Sequence, residues 1–366
     1  MGLLLWSIFS PANAAWTVNM APGATEISHA VFDLHMTIFW ICVVIGVVVF
    51  GAMLWSMMVH RRSTGQVAAK FHESTGVEIM WTIVPLLILV AMAVPATATL
   101  IKMYDTSEPD IDIQITGYQW KWHYKYLGQD VEFFSNLATP HSQIHNETAK
   151  DANYLLEVDQ PLVIPVGTKV RFLVTAADVI HSWWVPALAV KKDAIPGFVN
   201  ESWTRIDEPG IFRGQCTELC GKDHGFMPVV VEAKSKEDFA KWLAERKQAA
   251  LAEKELTSKE WTLDELMVRG EKAYLTNCAA CHQPTGEGLP PMFPPLKGSA
   301  IATGPAAGHI GIVVNGKPGT AMAAFGKQLS EVDLAAIITY ERNAWGNTLG
   351  DMVTPKDILA FKKAQE

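Results

Sequence analysis

Cys216-Thr217-Glu218-Leu219-Cys220-Gly221-Lys222-Asp223-His224-Gly225-Phe226-Met227 places two thiols four residues apart, an imidazole four further on and a thioether three beyond that. Soft sulfur donors with imidazole suit copper, and one His–Cys–Met set describes a mononuclear electron-carrier site. The second cysteine changes the count, because two thiolates bridge two copper ions once a second histidine arrives from elsewhere. His181, in His181-Ser182-Trp183-Trp184-Val185-Pro186, is the natural supplier. A disulfide or a structural zinc site competes for Cys and His at such spacing. A methionine ligand is out of place for zinc.

Upstream of this loop the pattern is that of short strands. Ile111–Thr116 alternates apolar and polar residues at period two. Further strands are predicted at Leu155–Val158, Leu162–Pro165, Val170–Ala176, Trp203–Ile206 and Val229–Ala233, which with their turn signals imply a Greek-key sandwich. Between Gly117 and Tyr126 lie five aromatic rings in nine residues, a stripe that normally packs in a core or interface. His141 and His145, in the polar stretch 128–153, are expected in solvent.

Downstream, Lys234–Glu260 is charged, with acids and bases interspersed and neither glycine nor proline, and reads as a helical linker. Beyond it, Cys278-Ala279-Ala280-Cys281-His282 is the attachment signature of a c-type haem, placed at the end of an amphipathic helix predicted over Leu263–Asn277. A redox Cys pair or half a zinc site are the alternatives; the immediate histidine and the lack of a second Cys pair speak against both. Met292, Met322 and Met352 are the downstream candidates for a second axial ligand, and a thioether there raises the haem potential.

The N-terminal third is of a different kind. Residues 36–59 and 79–101 hold no Asp, Glu, Lys or Arg. At ~1.5 Å per residue each run reaches ~35 Å, enough for a hydrocarbon core of ~30 Å. Arg61, Arg62 and Lys70 lie in the connecting loop and none of the bases lies in 16–31, so the loop is expected in the cytoplasm and both flanks outside. Met1–Ala15 reads as a signal-peptide remnant with a small-residue cleavage site at Ala12-Asn13-Ala14. Cys42, inside the first run, is expected to be an inert buried residue.

The 366 residues have room for two or three domains, and 49% apolar content with 13 tryptophans is high for a soluble chain. The net charge of −8 is local: residues 103–233 hold 18 Asp and Glu against 10 Lys and Arg, and the segments on either side are each neutral. An acidic domain repels nucleic acid, so none is expected as a partner; steering of a basic protein and ordinary solubility are the two readings of the excess charge.

Residues 16–233 resemble cytochrome c oxidase subunit II, and 262–366 resemble a fused class I cytochrome c. Cys216, Glu218, Cys220, His224 and Met227 match the motif of that family's binuclear copper centre, CuA, and His181 matches its upstream histidine. The resemblance implies a multidomain fold: a signal remnant (1–15), a two-helix transmembrane hairpin (16–102), an all-β cupredoxin-like Greek-key sandwich (103–233), a charged linker (234–261) and an all-α cytochrome c domain (262–366). It implies copper bridged by Cys216 and Cys220, with His181, His224 and Met227 as terminal ligands. Glu218 would ligate copper through its carbonyl and offer its carboxylate to a Mg or Mn ion at the interface with subunit I. Trp120 matches the tryptophan through which electrons enter, and Glu78 the glutamate at the mouth of a proton path into subunit I. Haem c would be held by Cys278 and Cys281, with His282 and Met322 as axial ligands.

The function so implied is that of an oxidase subunit in a bacterial inner membrane, both redox domains on the periplasmic side. Electrons would pass from a donor cytochrome c or cytochrome bc complex to haem c, CuA and then haem a of subunit I, for reduction of oxygen coupled to proton pumping. Subunit III and membrane lipid are the other expected partners. A membrane-anchored carrier serving another acceptor is the alternative, though an anchor alone needs neither two spans nor a placed carboxylate. A nitrous oxide reductase-like enzyme would need a large histidine-rich domain, and a quinol oxidase relative would lack the copper ligands.

Overall fold

The architecture is known from a computed structural model, which describes residues 19–20, 23–65, 67, 70 and 72–365. The stretch read as a signal remnant lies outside them. The contacts divide the chain into two units. One comprises the described residues up to Leu127 with Leu137–Lys236, the other Gly128–Asn136 with those from Glu237 onward.

The first unit begins with two long helices, α1 (Glu26–Val59) and α2 (Thr75–Met103), both long and apolar enough to cross a membrane. Helix α1 starts ten residues before the uncharged run, because a capping box sets its beginning. Thr25 Oγ1 accepts from Ser28 N–H at 3.0 Å, and Ser28 Oγ accepts from Thr25 N–H at 2.8 Å. Pro85 and Pro95 lie inside α2. The expectation for Cys42 fails: it is exposed, because it sits on a helix whose apolar surface faces outward along most of its length.

The rest of this unit is a two-sheet sandwich. One sheet runs β2 (Lys121–Tyr126), β1 (Ile111–Tyr118), β5 (Val170–Ala176), β8 (Asn200–Thr204). The other runs β4 (Leu162–Pro165), β10 (Pro228–Lys234), β9 (Gly210–Cys216), β6 (His181–Val185), β7 (Val190–Ala194). The pairings β1·β5 and β4·β10 are parallel, so the chain crosses between sheets instead of folding as successive hairpins. Period-two patterning turns alternate residues of β5 inward, whereas β4 is buried along its whole length. Ile113, Ile115, Trp122, Tyr124, Phe172 and Trp183 are fully buried between the sheets, each large apolar side chain contributing on the order of 1.5–3 kcal/mol.

Two predicted strands need correction. Leu155–Val158 keeps only an isolated bridge from Val158 to Leu137, since Leu155 turns the chain in the left-handed region at φ 60°. The strand predicted at Trp203–Ile206 runs instead over β8, and Ile206 bridges to Thr25. The sandwich is joined to the hairpin at its outer ends. Trp203 Nε1 donates to the Lys102 carbonyl at 3.2 Å, and the Lys102 ammonium pairs with Glu26. His141 and His145 are exposed, on the single turn α3 (His141–Ile144), with their rings stacked at 6.1 Å.

The second unit is helical: α4 (Lys236–Leu256), α5 (Leu263–Asn277), α6 (Ala279–His282), α7 (Ala306–Asn315), α8 (Glu331–Asn343) and α9 (Pro355–Lys363). A capping box between Thr262 and Glu265 starts α5 at its predicted residue. Helices α5 and α8 cross closely at Gly270, where a Cβ would lie 2.1 Å from the Ala336 carbonyl oxygen. The short strand β3 (Val131–Ser135) groups with this unit, Phe133 meeting the Trp242 ring at 6.1 Å with Arg246 over it.

Candidate metal centres

The two strands that supply the first donors were not legible as strands, yet they set the site. His181 opens β6 and Cys216 closes β9, and the β6·β9 register pairs Trp183 with Cys216, placing both donors at one end of the sheet. The 216–227 loop then returns on itself, with the Cys216 N–H donating to the Met227 carbonyl at 2.9 Å. The result is a buried cup. Cys216 Sγ lies 3.8 Å from Cys220 Sγ and 4.0 Å from His181 Nδ1, and Cys220 Sγ lies 3.4 Å from His224 Nδ1. The donor atoms of His181, Cys216 and Cys220 all fall within 4.8 Å of one another. Met227 is buried at the loop's end, and the Glu218 carbonyl lies 3.4 Å from Cys216 Sγ while its side chain stays exposed. The two sulfurs are not bonded to one another, standing beyond the ~2.05 Å length of a disulfide.

The two sulfurs compete for negative charge. The Cys216 thiol is lowered to about 3, chiefly by the hydrogen bond from Cys220, with burial opposing and His181 assisting. Cys220 is pushed up in return, first by that same bond and then by burial. Burial works against a charged His181, but hydrogen bonds to Asp178 and Cys216 outweigh it and raise its pKa. A cation bound in the cup would displace the protons these groups share.

Three residues around the cup were missed by sequence reasoning. Asp178 Oδ1 stands 2.9 Å from His181 Nε2, so Nδ1 is the nitrogen left facing the sulfurs. Gly117 lies beneath the same ring, where a Cβ would come within 2.7 Å of His181 Cδ2. Gln119 donates from Nε2 to the Cys220 carbonyl at 2.8 Å, and the indole of Trp120 donates to the same oxygen at 3.2 Å. Only Asp178 had a readable signal: a carboxylate near a candidate ligand histidine is a common orienting partner. Glu78 is exposed in the first turn of α2 and takes no part in the cup.

In the helical unit, Cys278 caps α5 and the single turn α6 carries Cys281 and His282. His282 Nδ1 lies 2.9 Å from the Pro294 carbonyl, which fixes the tautomer and leaves Nε2 for a metal. Met322 is half-buried against the apolar cluster of Ile310, Val314 and Leu334, whereas Met292 is 74% and Met352 43% exposed.

Three family models match the chain. Residues 13–98 match the one described as cytochrome c oxidase subunit II, transmembrane domain. Residues 111–234 match cytochrome c oxidase subunit II, periplasmic domain. Residues 265–340 match cytochrome c oxidase, cbb3-type, subunit III. Among curated relatives, the probable cytochrome c oxidase subunit 2 of Rickettsia bellii (strain RML369-C) is 41% identical over 254 residues, 68% of this chain and 92% of that one. The cytochrome c oxidase subunit 2 of Cyanidium caldarium is 37% identical over 243 residues, 65% of this chain and 94% of that one. Among solved structures, the periplasmic domain of subunit II of cytochrome oxidase (CoxB) of Bradyrhizobium japonicum shares 41% identity. It covers 39% of this chain and 98% of that one, with a TM-score of 0.36.

Proposed function

The chain belongs to the cytochrome c oxidase subunit II family, and from that premise we propose that it takes electrons from a donor cytochrome c or cytochrome bc complex at its haem c-binding domain. It then delivers them through a binuclear copper centre to haem a of subunit I, where oxygen is reduced and protons are pumped. The observation that carries this reading is the buried cup, in which two sulfurs and two imidazole nitrogens stand within 3.4 to 4.0 Å of their neighbours. The donor set fits copper: two thiols, imidazole nitrogens, a buried thioether and a carbonyl suit a soft metal, and a thioether has no use in a zinc site.

In this assignment Cys216, Cys220, His181, His224 and Met227 would hold the metal pair, with the Glu218 carbonyl alongside. The exposed Glu218 carboxylate is left for Mg or Mn at the interface with subunit I. Trp120, hydrogen-bonded to the Cys220 carbonyl, is where electrons enter. Glu78 marks the proton path. Cys278 and Cys281 would hold haem c covalently, His282 and Met322 would supply its axial donors, and the Pro294 carbonyl keeps His282 oriented. When bound, both cofactors supply one-electron chemistry; the chain buries, orients and insulates them.

The hairpin anchors the chain in a bacterial inner membrane with both domains on the periplasmic side, docked on subunit I and accompanied by subunit III. Purification with a metal and haem inventory tests this. Two coppers and one covalent haem per chain are expected; a single zinc ion would overturn the reading.

A further inference from the structure

Two residues outside the ligand set tie the β1–β2 turn to both sides of the cup. Gln119 uses its two donors on different partners. Its side-chain Nε2 holds the Cys220 carbonyl at 2.8 Å, and its backbone N–H donates to Asp178 Oδ2 at 2.8 Å. The other oxygen of Asp178 lies 2.9 Å from His181 Nε2 and accepts the Val179 N–H at 2.7 Å. A continuous run of hydrogen bonds therefore leads from His181 through Asp178 and Gln119 to Cys220. Two of its three links span 59 and 101 positions of sequence, so local chain geometry does not produce them, while the His181–Asp178 link spans three.

We propose that Gln119 is a positioning residue of the copper centre, an inference that rests on the copper reading above. A carbonyl held by two N–H donors, Gln119 Nε2 and Trp120 Nε1, has its peptide plane fixed, and with it the direction in which Cys220 presents its sulfur. By holding Asp178 through its backbone, the same residue keeps His181 offering Nδ1. An amide is the chemistry this place requires. An apolar side chain of similar size would leave the carbonyl to Trp120 alone, and a carboxylate would oppose it with lone pairs. Space around it is already used: at Gly221, with φ +120°, a Cβ would meet Gln119 Nε2 at 3.0 Å and Trp120 Cζ2 at 3.1 Å. Outer partners of this kind typically change metal affinity or activity by ~10–100-fold when removed.

The test compares the detergent-purified full chain, loaded with copper, as wild type, Gln119→Glu and Gln119→Leu. Copper count, retention of copper against a chelator and the copper hyperfine pattern in electron paramagnetic resonance are measured. Near-ultraviolet circular dichroism reports the tertiary fold. Gln119→Glu decides, because it removes the amide donor at constant volume; Gln119→Leu separates loss of the donor from added charge. The expected result is a folded Glu variant that loses copper to the chelator about 10-fold more readily, with an altered hyperfine pattern. A Glu variant matching wild type in both would overturn the proposal, as would one that loses its tertiary fold, which would make Gln119 a folding residue. Wild-type chain without a copper pair would instead overturn the copper reading itself.

Discussion

The copper cup and the haem cradle are built in opposite ways. In the cup, donors from positions 181, 216, 220 and 224 are brought together by strand register and a closed loop, and the sandwich core beneath them is complete. In the cradle, the attachment residues are neighbours in sequence, and the second proposed axial donor, Met322, rests on the apolar cluster of its own unit. Among the described residues, only His181, Cys216 and Cys220 form a group of three close metal-type donors. A group that binds the folded cradle and not the unfolded chain stabilises that unit by mass action.

That contrast breaks most visibly by removing each cofactor. Replacing Cys278 and Cys281 with alanine should abolish covalent haem and destabilise residues 237–365, read as early urea unfolding and rapid proteolysis there, while the copper signal persists. Loss of the copper signal in the same variant would show that the cup depends on the haem unit. The next effect is smaller and confined to the sandwich. Gly117→Ala places a methyl where only 2.7 Å separates it from the His181 ring, and overpacking of that kind costs about 1–3 kcal/mol. It should lower the melting temperature of the sandwich and shift the copper spectrum, leaving the haem spectrum alone.

The smallest effect sharpens the picture of the helical unit. Arg342 holds the Asp351 carboxyl below the usual carboxylate range, chiefly by a side-chain hydrogen bond. A depressed pKa contributes stability above the unfolded value of about 3.9 and loses it as the pH falls through the folded value. Asp351→Asn should therefore destabilise the unit at neutral pH and match wild type in strong acid. Because the Asp351 side chain is 47% exposed, the difference should be about 1 kcal/mol or less, measured by urea unfolding at several pH values.

What could be read in advance follows from the same contrast. The apolar runs, the Cys278–His282 signature, the Cys216–Met227 loop and the amphipathic pattern of Leu263–Asn277 are local in sequence. Strands β2, β3, β6, β7 and β9 were not legible: β2 read only as an aromatic stripe and β3 lay in a polar stretch, while β6, β7 and β9 mix tryptophan, lysine and glycine without a clean apolar–polar alternation. Gly117 and Gln119 were hidden for another reason: their contacts with His181 and Cys220 exist only across pairings remote in sequence. Cys42 misled because an apolar neighbourhood signals burial in a soluble domain and outward exposure in a lone hairpin.

The capping box at Thr25 has a consequence for the geometry of the whole first unit. Residues 26–35 carry α1 ~15 Å past the uncharged run, and both outer ends of the hairpin grip the sandwich, Thr25 through Ile206 and Lys102 through Trp203. The placement of the cup relative to the hairpin thus follows from helix length. One residue inserted into that overhang would lift its end by ~1.5 Å and turn it by about 100°, so only one of the two grips could keep its partner. The anchor is at the same time a gauge.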